Sequence, residues 1–431
     1  MNSFISHARR RMCTVIVSSV LLFISPTAIS KTITLEQAAR LTLRQHPDLQ
    51  RYQSLLTATE ADRTLANLTP AYHVGVEAEN LLGSGDASGI SDAELTVSLS
   101  SVFEMGGKLD ARVSLVDANL SLLQSERYVA SLKLLSELTR QYVKTLAAKE
   151  RLTLAQTSVS LADEALSIVK QRVEKGATNK AEFLRARAAL NQARVDKASA
   201  ETALAIAKQS LALFWKGDAE AIDKISGSLS TLPAKRQYSA VYQQFLESAN
   251  VERLTQAINV KEAEQKLVES NASADISWRI GVRRSQAVQD TSVVAAVSMP
   301  LFAEQRNQGA SRAAMAKKEA AVIARDSQIL EIKALLFKAQ QYLNFSIDAV
   351  KHINDAVLPD LETATTLVLE GYQRGAYSYQ DWIASRDALI RAHAKVIELS
   401  ESALVNQSLV EQWTGLSGQA SPTHEFRNNH E

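Results

Sequence analysis

Over most of the chain apolar residues recur every three or four positions, but in four short stretches they recur every second position. The change of period is sharpest in AELTVSLSSVFEMGGKLDARVSL, residues 93–115. There Leu95, Val97, Leu99, Phe103 and Met105 are interleaved with Thr96, Ser98, Ser100 and Glu104, which is the period of a strand. Beyond Gly106 and Gly107, the residues Leu109, Val113, Val116, Leu120 and Leu123 alternate in steps of four and three, keeping one helical seam against a neighbour. The pattern predicts a helix over 35–68, strands over 72–82 and 93–105, and helices over 109–174 and 178–215. It then predicts a helix over 238–271, strands over 274–285 and 292–302, and helices over 308–373 and 378–414. A helix over 109–174 is ~100 Å long at about 1.5 Å per residue, so the architecture is extended.

The second set of elements repeats the first. RVEKGATNKAEFLRARAAL around Gly176 and GYQRGAYSYQDWIASRDAL around Gly375 each place a glycine between two helical patterns, with an acid six residues later, Glu182 and Asp381. An aromatic follows each acid, Phe183 and Trp382, and each segment closes on Trp-x-Gly, at Trp215–Gly217 and Trp413–Gly415. The offset of about 200 residues is far beyond the roughly 20–50 of a solenoid and marks a duplicated subdomain. The organisation read from this is a leader over 1–30, a first repeat over 31–217, a linker over 218–237, a second repeat over 238–415 and a tail over 416–431.

Each strand sorts its side chains. Tyr72, Val74, Val76 and Ala78 share one side of the first, and His73, Gly75, Glu77 and Glu79 the other. The third sets Ile276, Trp278, Ile280 and Val282 against Ser277, Arg279, Gly281 and Arg283; the fourth sets Val293, Ala295 and Val297 against Ser292, Ala296 and Ser298. A soluble sheet with one face under a helix alternates in this way. So does a sheet between lipid and water, with Glu77, Glu79, Arg279 and Arg283 lining an aqueous interior. The long helices have seams for one another and leave none to cover the sheet, which favours the membrane arrangement. Each strand is near the roughly 9–11 residues that cross a bilayer at a tilt. Open edges are excluded from hydrocarbon, and barrels begin at about eight strands. Four strands therefore require several copies of the chain to share one barrel, and the protein is an obligate homo-oligomer.

Composition agrees with this picture. Gly and Pro are scarce, 15 and 7 in 431 residues, which favours long helices over an all-β fold. The 48 basic and 47 acidic side chains cancel, so nothing points to nucleic acid as a partner. Arg9, Arg10 and Arg11 precede an apolar run from Met12 to Ile24 and a small-residue site at Ala28-Ile29-Ser30, the pattern of a secretory signal peptide. Its cleavage removes Cys13, the only cysteine, and suits an oxidising compartment such as the bacterial periplasm. No later apolar run reaches the roughly 18 residues of a spanning helix, so any bilayer crossing is made by strands.

LEQAARLTLRQHPDLQ at the mature start, SVFEMGGKLDAR between strand and helix, and the paired turns RVEKGATNKAEFLRA and YQRGAYSYQDWIASRDAL together resemble the TolC family of outer-membrane efflux channels. HPDL and FEMGGK are most similar to its heavy-metal branch, the CzcC-like subunits. The resemblance covers nearly all of the mature chain. It implies a mainly α fold with a small transmembrane β part: long antiparallel helices forming an α-barrel in the periplasm, and four strands per chain in a twelve-stranded barrel of a homotrimer in outer-membrane lipid. It implies as partners a periplasmic adaptor and an inner-membrane proton-driven pump. The turns at Gly176-Ala177 and Gly375-Ala376 would then dock the adaptor. Asp381 resembles one of the family's entrance-constricting aspartates, while Ala384 stands where the second belongs, which puts a doubled acidic ring in doubt. Glu182 is the repeat-mate of Asp381, and Arg374 and Arg185 are nearby candidates for latching salt links. The local explanations are acids complementing a helix dipole and glycines ending helices in the left-handed region.

No catalytic constellation is visible, so no enzyme and no cofactor are expected. His46, His73, His352, His393, His424 and His430 are dispersed, and there is no phosphate-binding glycine loop, so transport energy must come from another subunit. His424, Glu425, His430 and Glu431 could hold a cation, but a solvated terminus explains them. The function expected is a passive exit duct from periplasm to exterior, with metal cations as cargo on the resemblance alone. The alternative is a periplasmic coiled coil that bridges other proteins without a pore.

Overall fold

The computed structural model describes residues 32–82, 84–85 and 89–415. The expected signal peptide, with Cys13, and the expected tail, with His424, Glu425, His430 and Glu431, lie outside these residues.

The first half runs β1 (Thr32–Ile33), α1 (Leu35–Gln45), α2 (Pro47–Ala66), β2 (His73–Glu79), β3 (Glu94–Phe103), α3 (Lys108–Glu174) and α4 (Lys180–Ala212). The second runs β4 (Lys224–Ile225), α5 (Tyr238–Leu246), α6 (Ala249–Ser270), β5 (Ile276–Ser285), β6 (Asp290–Ser298), α7 (Ala303–His352), α8 (Leu358–Arg374) and α9 (Tyr379–Thr414), with a π turn over Ile353–Val357 between α7 and α8. No helix among the described residues is long and apolar enough to cross a membrane.

Three predicted helices are broken. The one over 35–68 divides at His46, because Pro47 forces its predecessor out of the helical region, here to φ −68° and ψ 129°. His46 then caps α2, its Nδ1 accepting the Asp48 N–H at 3.3 Å. The helix over 238–271 divides at Glu247-Ser248. The helix over 308–373 is interrupted by the π turn ahead of Pro359.

α3 and α4 form one antiparallel hairpin and α7–α8 with α9 another, while α9 also lies along α3 and α6 along both α3 and α7. Apolar side chains gather in three places. One is a belt around Leu138, Tyr142 and Leu211 of the first hairpin, where β1 pairs in parallel with β4 and Trp215, Ile222 and Leu229 close in. The segment 218–237, read as a linker, is thus built into the core through Ile222, Ile225 and Leu229. The Tyr142 hydroxyl lies 3.0 Å from the Ile33 carbonyl and 2.5 Å from that of Ser226, tying both segments to α3. A second cluster joins Val241 and Phe245 of α5 to Ile332, Leu336 and Val410. The third holds the two hairpin tips together.

The four longer strands make one antiparallel sheet in the order β2-β3-β5-β6. It stands at the end of the helices opposite the tips.

Candidate functional site

The register places Val76, Val97, Val282 and Val293 in one row across all four strands. These four are 68%, 48%, 51% and 74% exposed, so a continuous apolar face is bare. Among the described residues the strands make their substantial contacts only with one another, and no helix covers the sheet. At the end nearest the helices that face is aromatic: Trp278 lies 6.0 Å from Phe103 and 6.3 Å from Tyr72, between ring centroids. The opposite face is polar and internally paired. Glu77 meets Arg279 at 3.5 Å, and Arg283 meets Glu79 at 3.0 Å and Glu94 at 2.9 Å while donating from Nε to Thr96 Oγ1. The four side chains predicted to line an interior, Glu77, Glu79, Arg279 and Arg283, thus share one face and bond to each other. β2 and β6 leave the sheet with two unpaired edges.

Between sheet and helices the FEMGGK segment acts as a rigid joint. Gly106, at φ +75°, is packed so closely that a Cβ would lie 2.2 Å from Ser273 Oγ, so no side chain fits there. Lys108, only 9% exposed in its side chain, pairs with Asp275 at 2.7 Å, and Asp275 also accepts the Met105 N–H at 3.0 Å. Arg112 grips Glu104 through two nitrogens and reaches the Leu68 carbonyl. These links, which sequence reasoning missed, tie the end of β3 and the start of α3 to the residue before β5.

At the far end the two hairpin turns have the same backbone. Gly176 and Gly375 take φ +68° and +84°. The Ala177 N–H bonds the Arg172 carbonyl and the Ala376 N–H the Gly371 carbonyl, each at 2.8 Å, while the two glycines donate to Val173 and Tyr372. Both are Schellman ends, which the left-handed glycine permits. Asn179 and Ser378 then cap the returning helices. Asp381 closes a capping box, accepting from the Ser378 N–H at 3.0 Å and its hydroxyl at 2.6 Å. Those two bonds hold the Asp381 carboxyl below its ordinary value.

Glu182 is used differently from its repeat-mate. Its carboxylate accepts from Thr178 and, across the hairpins, from the Tyr372 hydroxyl at 3.3 Å. Tyr372 stacks on Trp382 at 5.2 Å, and the Arg172 guanidinium lies 4.7 Å from the Tyr372 ring centre while Nη1 donates to the Gln373 carbonyl. The two expected arginine latches are not made within the chain. Arg374 sits 3.6 Å from Glu370 on its own helix, and Arg185 bonds neither Glu182 nor Asp381. Tyr372 and Arg172 supply the cross-hairpin bonds instead. Four aromatics around the second turn, Tyr372, Tyr377, Tyr379 and Trp382, against Phe183 alone in the first, were the available signal.

A bare sheet, a rigid joint and paired tips at opposite ends of ~100 Å helices match a known plan: residues 38–215 match the family described as outer membrane efflux protein. The match covers the first repeat, from α1 to the end of α4. A cobalt-zinc-cadmium resistance protein, CzcC of Cupriavidus metallidurans, is 22% identical over 372 residues, which is 86% of this chain and 87% of CzcC. Among solved structures, CusC superimposes with a TM-score of 0.74 at 17% identity, covering 89% of this chain and 92% of CusC. VceC of Vibrio cholerae superimposes with a TM-score of 0.72 at 14% identity, covering 88% of this chain and 96% of VceC. These neighbours share the fold of outer-membrane channels. The chain is accordingly an exit duct of the outer membrane that extends into the periplasm. Members of the family are outer-membrane components of tripartite systems, which implies an adaptor and an inner-membrane pump as partners.

Proposed function

We propose that three copies of this chain close a twelve-stranded barrel in outer-membrane lipid, continued by an α-barrel, and that the duct carries metal cations outward. The observation that carries the proposal is the sheet: one face apolar and bare, the other an ion-paired lattice, and both edges open. Edge β6 of one copy runs antiparallel to β2 of the next, so closure satisfies the edge hydrogen bonds that hydrocarbon would leave unpaired. Exposed apolar residues on the helices support the same assembly. Val195 and Ile206 on α4 with Leu213 just past its end, and Ile323, Leu330, Phe337 and Phe345 on α7, are uncovered at steps near whole helical repeats.

In this reading Glu77, Glu79, Arg279 and Arg283 face the lumen. The turns at Gly176-Ala177 and Gly375-Ala376 receive the adaptor. Asp381 supplies one acid per chain at the entrance, with Ala384 exposed beside it and adding none. The Glu182–Tyr372 bond holds the tips together, and Arg185 and Arg374 are placed to meet acids of a neighbouring copy. Metal cargo is supported by CzcC, whose name records cobalt, zinc and cadmium resistance. Deleting 172–185 or 371–385 is expected to abolish metal efflux while leaving a heat-resistant oligomer in the outer membrane. Loss of the oligomer in both deletions would count against docking at the turns, and a deletion strain with unaltered zinc, cobalt and cadmium tolerance would remove metals as cargo.

A further inference from the structure

The outward face of the sheet carries a single charged side chain. Arg284 lies on it in the row Ala78, Leu95, Arg284, Thr291, one step beyond the valine row and at the end away from the helices. It is exposed, and its Nη1 donates to Thr291 Oγ1 at 3.3 Å. Among the described residues it makes no ion pair, because the strand carboxylates Glu77, Glu79, Glu94 and Asp290 all occupy the other face, where Arg283 already binds two of them. The edge strand of another copy supplies no acid either, since β2 brings only Val74, Val76 and Ala78 to the outward side.

We propose that Arg284 binds the phosphate of an outer-leaflet lipid. The proposal rests on the outer-membrane reading above. Trp278 and Arg284 are six residues apart on β5, roughly 20 Å along the strand at about 3.3 Å per residue. The aromatic group and the arginine therefore bracket the apolar belt, one at each interface. A guanidinium in hydrocarbon would destabilise the barrel, whereas at the belt's rim its stem lies on apolar surface and its head reaches the headgroups. Guanidinium is planar, weakly hydrated and geometrically matched to phosphate oxygens. The adjacent Thr291 hydroxyl holds it at the surface without neutralising it.

The test compares the wild-type oligomer in nanodiscs containing bisphosphorylated lipid A with the same oligomer in nanodiscs whose lipid A lacks phosphate, following thermal dissociation on gels. The wild type is expected to dissociate at a higher temperature with the phosphorylated lipid. Arg284→Gln should abolish the difference and Arg284→Lys should keep part of it. Inorganic phosphate added to the phosphate-free discs should not reproduce the shift, and a full shift from free phosphate would overturn the lipid assignment. Equal wild-type behaviour in the two lipids would overturn the proposal while leaving the duct intact, and this comparison decides the matter even where Arg284→Gln fails to assemble. Recovery of the chain in soluble periplasm would overturn both.

Discussion

Tyr372 connects the two hairpins through one hydroxyl. Burial, with the Glu182 carboxylate adding to it, pushes its pKa up to about 12, so it stays a neutral donor throughout the physiological range. Tyr372→Phe removes the bond and keeps the stack on Trp382. The expected result is a larger single-channel conductance in planar bilayers, with stability lowered by about 1 kcal/mol; unchanged conductance would separate this bond from the gate. Asp381 gives an acid-side prediction. Its pKa is depressed by the Ser378 hydroxyl and N–H, so the cap's contribution is complete above the ordinary carboxylate value and is lost as pH falls through the depressed one. Ser378→Ala raises that pKa and should move the acid-side change in cation preference to higher pH. Asp381 and Glu182 were legible because the repeat aligns them. Tyr372 was not, because its counterpart in the first repeat is Val173, and a comparison of halves finds only what both halves keep.

The two halves differ most in their long helices. α3 runs unbroken for 67 residues, while the corresponding helix in the second half contains the π turn, where the Leu358 N–H donates to the Ile353 carbonyl, five residues back. Pro359 accounts for the irregularity, since it has no N–H for the Asp355 carbonyl and its ring crowds that turn. The π turn takes up the defect by inserting a residue into the ladder. Pro359→Ala should restore an α ladder and stabilise the fold by about 1–2 kcal/mol. It should also shift α8 against α9 enough to break the 3.0 Å bond between Thr365 and Ser385. An unchanged melting temperature and an unchanged electron-microscopy map would dismiss the proline as the cause. Apolar periodicity could not foresee this break, because the residues on either side keep a helical spacing. Nor could it foresee β1 and β4, which at two residues each are too short to show a period and are held by Tyr142, 109 residues from Ile33 and 84 from Ser226 in sequence. The strand faces, by contrast, were fully readable, because seven to ten alternating residues leave only one way to sort the side chains.

At the scale of the assembled molecule, the claim is that the two faces of the sheet meet different solvents, and adjacent residues can test it. Val293 and Ser292 are neighbours on β6, both exposed in the single chain, and differ only in the face they occupy. If both faces met water, arginine at either position would be tolerated. If the valine row meets hydrocarbon, Val293→Arg places a charge in the apolar belt at a cost of about 2–4 kcal/mol per copy when near the midplane. That cost is incurred once per copy, so assembly amplifies it. Ser292→Arg instead adds a charge to a polar lattice that already contains Glu77 and Arg283 in the same row. The expected outcome is that Ser292→Arg yields a heat-resistant, detergent-requiring oligomer in the outer-membrane fraction with altered ion preference. Val293→Arg should accumulate as unassembled chain in the periplasm. Equal assembly of the two variants would mean that the valine row does not face lipid, and the barrel would have to be abandoned in favour of a soluble helical bridge.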